Sequence, residues 1–181
     1  MELFEKTLNS KNIFNGRVIH VALDEIELPN GHTSSREVVG HPGGVCIAAL
    51  NDKNELYFVR QYRYPYHEVV LELPAGKLEK GSTPLENGIR ELKEEVGATG
   101  KDYKFLGELY PSPGYCAEII YLYFCRIDTL GEDNPDEDEF LKTETIHIDK
   151  AVEMVLNNEI KDSKTQTAVL KTAMLLKKGI L

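Results

Sequence analysis

A chain of 181 residues is long enough for one domain with a complete hydrophobic core, or for one domain and a small extension. Its 30 acidic and 21 basic side chains leave a formal net charge of −9, which argues against a non-specific nucleic-acid or anionic-membrane surface and suits a protein that gathers divalent cations. Three cysteines (Cys46, Cys116 and Cys125), no signal-peptide pattern and no apolar run near the ~20 residues of a membrane span set the expectation of a cytoplasmic protein with reduced thiols.

Residues 1–40 read as a small β unit. Val18 to Leu28 alternates in part, Pro29-Asn30-Gly31 signals a turn, and Thr33 to Val39 returns as a second strand. A hairpin of this kind is marginal alone, so it is expected to lean on the main domain, 41–181, or on a second subunit.

From Gly44 the strands become longer and more apolar: Val45 to Leu50, a turn at Asn51-Asp52-Lys53-Asn54, Leu56 to Arg63, and Val69 to Leu73. A Gly-containing loop and one helix follow. Thr83-Pro84-Leu85-Glu86 has the form of a capping box with proline in the first helical position, and Gly97 suits the left-handed stop. At about 100° per residue, Leu85, Ile89, Leu92 and Val96 align as the expected buried face, with Glu91 and Glu95 beside it. Glu86, Arg90 and Glu94 form an i,i+4 ladder of alternating sign on the far side.

Further strands are expected at Tyr103 to Leu109 and Ile119 to Ile127, separated by the loop Tyr110-Pro111-Ser112-Pro113-Gly114. Gly131 to Glu139 is the most acidic stretch, with too little apolar content to pack. Thr143 to Ile148 reads as a strand, Asp149 as the cap of a helix to about Leu156, and Ser163 as the cap of a last helix to about Lys178.

Glu91 and Glu95 are the first candidates for chemistry. Two carboxylates about 4 Å apart repel by roughly 4 kcal/mol at an effective dielectric near 20, whereas an exposed i,i+4 pair costs only about 0.2–0.5 kcal/mol. Depth therefore decides between a solvated acidic face and a site compensated by a proton or cation. All-oxygen ligands favour Mg²⁺ or Mn²⁺ over zinc.

Gly76, thirteen intervening residues, and then Arg90-Glu91-Leu92-Lys93-Glu94-Glu95-Val96-Gly97-Ala98 resemble the box of the Nudix hydrolase family, G-x5-E-x7-R-E-U-x-E-E-x-G-U with U aliphatic. One fixed position departs: Ser82 stands where the pattern has its first Glu, with Glu79 and Glu86 as nearby candidates to compensate. The resemblance implies an α/β (α+β) fold, an α/β/α sandwich around a mixed sheet. It also implies hydrolysis of a nucleoside diphosphate linked to another moiety, by attack of water on phosphorus. Glu91, Glu95 and the carbonyl of Ala75 would be Mg²⁺ ligands, with Mn²⁺ a substitute, and Arg90 with Glu94 would brace the helix.

Pro113, sixteen residues beyond Gly97, and the setting around it are similar to the ADP-ribose pyrophosphatase branch. So are Arg36-Glu37-Val38, Gln61-Tyr62-Arg63-Tyr64-Pro65, Leu71 to Gly76 and Asp136 to Phe140. This implies a small nucleotide-sugar substrate, ADP-ribose or a similar ADP-sugar, cleaved to AMP and a sugar phosphate by a homodimer. In that branch a late acidic loop supplies or positions the general base, here Glu139 with Glu137 as the alternative. Arg63 is the first candidate for a phosphate or ribose contact and Arg36 the second, while Glu72 and Glu118 are further candidates to line the site. Another nucleotide sugar, a dinucleotide, an oxidised nucleotide, or a non-hydrolysing ADP-ribose sensor are the alternatives.

Overall fold

The computed structural model describes residues 3–132 and 140–181. Its contacts divide the chain into two units, Met1–Gly43 with Tyr110–Ile119, and Gly44–Leu109 with Ile120–Leu181.

The first unit is an antiparallel sheet of three strands, β1 (Lys6–Asn15), β2 (His20–Glu27) and β3 (Thr33–Gly40). The β2–β3 hairpin turns where the sequence places it: Gly31 takes φ +81° and donates from its N–H to the Leu28 carbonyl at 2.8 Å. The expected hairpin thus gains a strand. β1 pairs with β2 although all ten of its side chains are exposed, and a strand wet on both faces carries no alternation from which to read it. The Tyr110–Ile119 segment joins this sheet through the bond from Val39 N–H to the Tyr115 carbonyl, 2.8 Å, and from Ala117 N–H to the Val39 carbonyl, 2.9 Å.

The second unit follows the order β4 (Gly44–Leu50), β5 (Glu55–Arg63), a single 3₁₀ turn (Tyr64–Tyr66), β6 (Glu68–Glu72), β7 (Ala75–Lys77) and α1 (Pro84–Val96). It continues with β8 (Ala98–Leu109), β9 (Ile120–Leu130), β10 (Lys142–His147), α2 (Ile148–Leu156) and α3 (Ser163–Lys177). The strands form one mixed sheet in the order β10-β5-β4-β9-β8, with β6 added to β5 and β7 to β4. β4 runs parallel to β9, and the other pairings are antiparallel.

β4 shows why this sheet has two covered faces. All seven of its residues are buried, as expected of a central strand roofed on both sides. Cys46, Ala48 and Leu50 pack with Phe58, Leu122 and Phe124 and with α2 and α3 through Ala151, Val155, Ala168 and Val169. Ile47 and Ala49 point the other way, with Leu92 and Val96 of α1. The result is the expected α/β/α sandwich.

Several boundaries differ from the sequence expectation. β8 starts at Ala98 rather than Tyr103, because irregularities at Thr99/Gly100, Lys101/Lys104 and Phe105/Gly107 break the alternation that marks a strand. β7, three residues long, lies in what reads as a loop. α2 is capped by His147, whose Nδ1 accepts from Asp149 N–H at 3.3 Å, so Asp149 is inside the helix. α3 is capped by Asp162, which accepts from Thr165 N–H at 2.9 Å, one residue before the expected Ser163. The cysteines are free: Cys46 and Cys125 are buried and Cys116 partly so. Burial pushes the Cys46 thiol well above its ordinary range and the Cys125 thiol up to about 12. Among the described residues, no helix is long and apolar enough to cross a membrane.

Candidate active site

The N-terminus of α1 is fixed as the capping box requires. Thr83 Oγ1 accepts from Glu86 N–H at 3.3 Å, and a Glu86 carboxylate oxygen accepts from Thr83 N–H at 2.7 Å. The Thr83 N–H, together with a second bond donated by Thr83 Oγ1 to the same carboxylate at 2.8 Å, holds the Glu86 carboxyl below the usual carboxylate range. Gly97 ends the helix at φ +70°.

The buried face of α1 is not the expected one. Leu92 and Val96 are buried, but Leu85 is half-buried and Ile89 is 39% exposed, while Asn87, Gly88, Glu91 and Glu95 face inward. On a helical wheel the packed arc centres near Gly88 and Glu95, roughly 80° from the aliphatic line. Gly88 explains the rotation. A Cβ there would lie 2.7 Å from Ile47 Cδ1 and 3.0 Å from Val45 Cγ2, so the missing side chain lets α1 settle onto β4 along this face. Asn87 is satisfied in place, donating to the Thr83 carbonyl at 2.8 Å and accepting from Glu79 N–H at 3.1 Å.

This rotation buries the two carboxylates, leaving Glu91 8% and Glu95 3% exposed. Glu95 Oε2 accepts from Ala75 N–H at 3.0 Å. Gly76, the next residue, passes so close that a Cβ on it would sit 1.8 Å from Glu91 Oε1. β7 and α1 therefore face each other with both carboxylates between them, and a side chain at position 76 would force Glu91 to move.

Arg90 is shared. Its Nη2 lies 2.6 Å from Glu91 Oε1 and 3.3 Å from Glu79 Oε1, and its Nη1 donates to Glu94 Oε2 at 2.5 Å. Partial burial works against its charge, but Glu91, Glu94 and Glu79 outweigh that and raise its pKa. The expected ladder is thus redrawn: Glu86 serves the cap, and Glu79 joins Glu94 on Arg90. Ser82, exposed before the helix, has a backbone N–H bond to the Glu79 carbonyl, 3.4 Å.

A second charged group lies at the end of β6. Glu72, 2% exposed, accepts from Arg63 Nε at 2.5 Å and Nη2 at 2.7 Å, and also from Lys164 Nζ. Lys164 Nζ is 3.0 Å from Asp162 Oδ1 as well. Burial by itself would raise the Glu72 pKa, yet the Arg63 hydrogen bond and the Lys164 charge hold it below the usual carboxylate range. Burial likewise works against the Lys164 charge, and Asp162 and Glu72 reverse that. Sequence reasoning named Arg63 and Glu72 separately and missed both their pairing and Lys164, for which the only signal is a polar residue in the first turn of α3.

Three more candidates, Arg36, Glu118 and Pro113, fall in the first unit. Arg36 forms a bidentate pair with Glu5, 2.5 and 3.0 Å, on an exposed edge. Glu118 Oε1 lies 3.3 Å from His41 Nδ1. Pro113 is exposed, in the turn closed by Cys116 N–H on the Ser112 carbonyl at 3.0 Å. Glu137 and Glu139 lie outside the described residues.

The donor set between β7 and α1 fits a hard divalent cation: two buried carboxylates and a close main chain, all oxygen. Among the described residues no group of three or more His, Cys, Asp or Glu is placed to hold a metal, so a main-chain carbonyl would complete the set.

Comparison with known proteins points to a family. Residues 40–167 match the NUDIX domain profile, and residues 5–39 match the nucleoside diphosphate sugar hydrolase N-terminal domain. The chain is 42% identical to a methanol dehydrogenase activator of Bacillus methanolicus over 91% of its own length and 90% of the relative's. It is 39% identical to an ADP-ribose pyrophosphatase of Bacillus subtilis (strain 168), covering 92% and 91% of the two chains. An ADP-ribose pyrophosphatase of Mycobacterium tuberculosis is 32% identical, with 91% and 81% covered. A crystal structure of an ADP compounds hydrolase superposes with a TM-score of 0.83 over 98% of this chain and 97% of that one, and at 21% identity this likeness concerns the fold. With a domain match over most of its length and full-length relatives above 30% identity, the chain belongs to the Nudix family of hydrolases.

Proposed function

We propose that the protein hydrolyses the pyrophosphate of ADP-ribose, or of a similar ADP-sugar, to AMP and a sugar phosphate in a Mg²⁺-dependent reaction. The observation that carries this reading is the burial of Glu91 and Glu95 against β7, with Glu95 oriented by Ala75 N–H and the Gly76 backbone pressed to Glu91. The likeness to two proteins named ADP-ribose pyrophosphatase supports the substrate.

Nudix hydrolases generally need a divalent metal. Glu91, Glu95 and the Ala75 carbonyl would hold Mg²⁺, or Mn²⁺ in its place, and the bound ion would neutralise the pyrophosphate and lower the pKa of the attacking water. The protein's own share is positional. Arg90 keeps Glu91 from turning away, and Ala75 N–H fixes the rotamer of Glu95. The proton of the attacking water is assigned to Glu139, with Glu137 as the alternative. Arg63 is held by Glu72 through Nε and Nη2, so a phosphate contact would use its Nη1 edge. Arg36, Pro113 and Glu118 are assigned to the sugar and adenine end. Leu8, Ile13 and Phe14 on β1, 44%, 54% and 53% exposed, support a homodimer through the first unit. A cytoplasmic location completes the reading.

The test is a steady-state assay of ADP-ribose with Mg²⁺, following AMP release, beside a panel of other nucleotide sugars, dinucleotides and oxidised nucleotides. AMP released fastest from ADP-ribose supports the proposal. Tight ADP-ribose binding with no AMP identifies a sensor instead. A second reading has one observation in its favour, the 42% identity to a protein named for activating methanol dehydrogenase. Faster turnover of an alcohol dehydrogenase on adding this chain would support it.

A further inference from the structure

Four consecutive residues from the end of β6 to the start of β7, Glu72-Leu73-Pro74-Ala75, are held between them by β5, α3, β4 and α1. Glu72 is paired with Arg63 of β5 and Lys164 of α3. Leu73, wholly buried, donates its N–H to Thr165 Oγ1 of α3 at 2.9 Å. The Pro74 carbonyl accepts from Ile47 N–H of β4 at 2.9 Å. Ala75 N–H donates to Glu95 of α1 at 3.0 Å.

Proline has no N–H, so Leu73 and Ala75 supply the only main-chain donors over 73–75, and both are bonded to side chains rather than to a neighbouring strand. One of those side chains is a site carboxylate. The other belongs to α3, on the opposite side of the sheet from α1. We infer that Thr165, backed by the Lys164–Glu72 pair, is a positioning residue for the cation site, acting by fixing the Leu73–Ala75 turn that presents the Ala75 carbonyl and N–H to it.

The physical reason for the arrangement is register. Thr165 is wholly buried in the first turn of α3, where its own N–H is taken by the Asp162 cap. Its hydroxyl therefore sits at a depth set by a helix terminus rather than by a mobile loop. Lys164, next to it, ties Asp162 and Glu72 together, so the cap of α3 and the end of β6 share one ammonium group. Groups that orient a metal ligand from behind typically change metal affinity by about 10–100-fold when lost.

The inference rests on the assignment of Glu91, Glu95 and the Ala75 carbonyl to a divalent cation, and its test separates the two. Mn²⁺ binding to the substrate-free full chain is measured by calorimetry for wild type, Thr165→Val, Thr165→Ser and Glu95→Gln, with far-UV circular dichroism as the control on folding. Valine keeps the volume and removes the acceptor, while serine keeps the acceptor. The expected result is an about tenfold weaker Mn²⁺ Kd for Thr165→Val, a Kd within about twofold of wild type for Thr165→Ser, and near-complete loss for Glu95→Gln. Wild-type affinity in Thr165→Val with loss in Glu95→Gln overturns the positioning role and leaves the metal assignment standing. Wild-type affinity in both overturns the metal assignment and the inference with it. If Thr165→Val does not fold, Thr165→Ala takes its place against Thr165→Ser under the same outcomes.

Discussion

Two groups of buried acid lie within one domain, and they are neutralised differently. At the end of β6, Glu72 and Asp162 meet Arg63 and Lys164, two carboxylates with two cationic side chains. On α1, a single guanidinium, Arg90, is spread over Glu79, Glu91 and Glu94, and Glu95 takes a main-chain N–H. The first group closes its charge with its own residues and ties β5 and β6 to α3. The second is arranged around oxygen atoms that converge on a backbone stripped of side chains at Gly76. Burial of acid does not by itself mark a metal site; the two groups differ in the composition of the compensating shell.

The largest effect should come from the α1 group. Glu95→Gln is expected to lower kcat for ADP-ribose by about a thousandfold, several kcal/mol of lost charge stabilisation, with the fold retained. Wild-type turnover in that variant would erase the distinction between the two groups. The β6 group should respond in stability instead. Glu72→Gln leaves Arg63 and Lys164 facing each other and is expected to cost about 2–3 kcal/mol in urea denaturation, less than the about 3–5 of a fully buried pair, because Arg63 is 39% exposed.

The pH dependence follows with a definite sign. The folded-state pKa of Glu72 lies below the ordinary 4.5. Its contribution is therefore fully present above about 4.5 and is lost as pH falls through the lower folded value. The stability gap between wild type and Glu72→Gln should stay constant from neutral pH to that point and narrow below it. A gap as wide at pH 3 as at pH 7 would mean the β6 group is not held by its charges.

The smallest effect sharpens the comparison from outside. Thr83→Ala removes the cap of α1 and is expected to cost about 1 kcal/mol, read as a lower Tm, while AMP release stays within about twofold. A loss of activity far beyond that would show that the platform depends on the helix end and not only on its buried face.

The local signals were legible where chemistry is local. The capping box, the Gly97 stop, the Gly31 turn and the strands through Leu50 and Arg63 all rest on residue types at fixed offsets. The packed face of α1 was not legible, because the aliphatic line is the stronger pattern and only the sheet beneath Gly88 reveals which face settles. The pairing of Glu72 with Lys164 is equally hidden, since it joins residues far apart in the chain through two elements that sequence reads independently. β1 and the irregular start of β8 escape for the opposite reason, having no alternation to read.

The parallel pairing of β4 with β9, Gly44 opposite Ile120, has a consequence for how the molecule is made. The central strand gains this neighbour only after α1 and β8 have been synthesised, so the pairing belongs to the slow, non-local class of folding events. During synthesis the acidic helix is complete before the sheet that buries its carboxylates is closed. Closure of the sheet on which α1 packs is accordingly a late step, and a chain that stalls before β9 carries the whole box sequence with its central strand still unpaired on that edge.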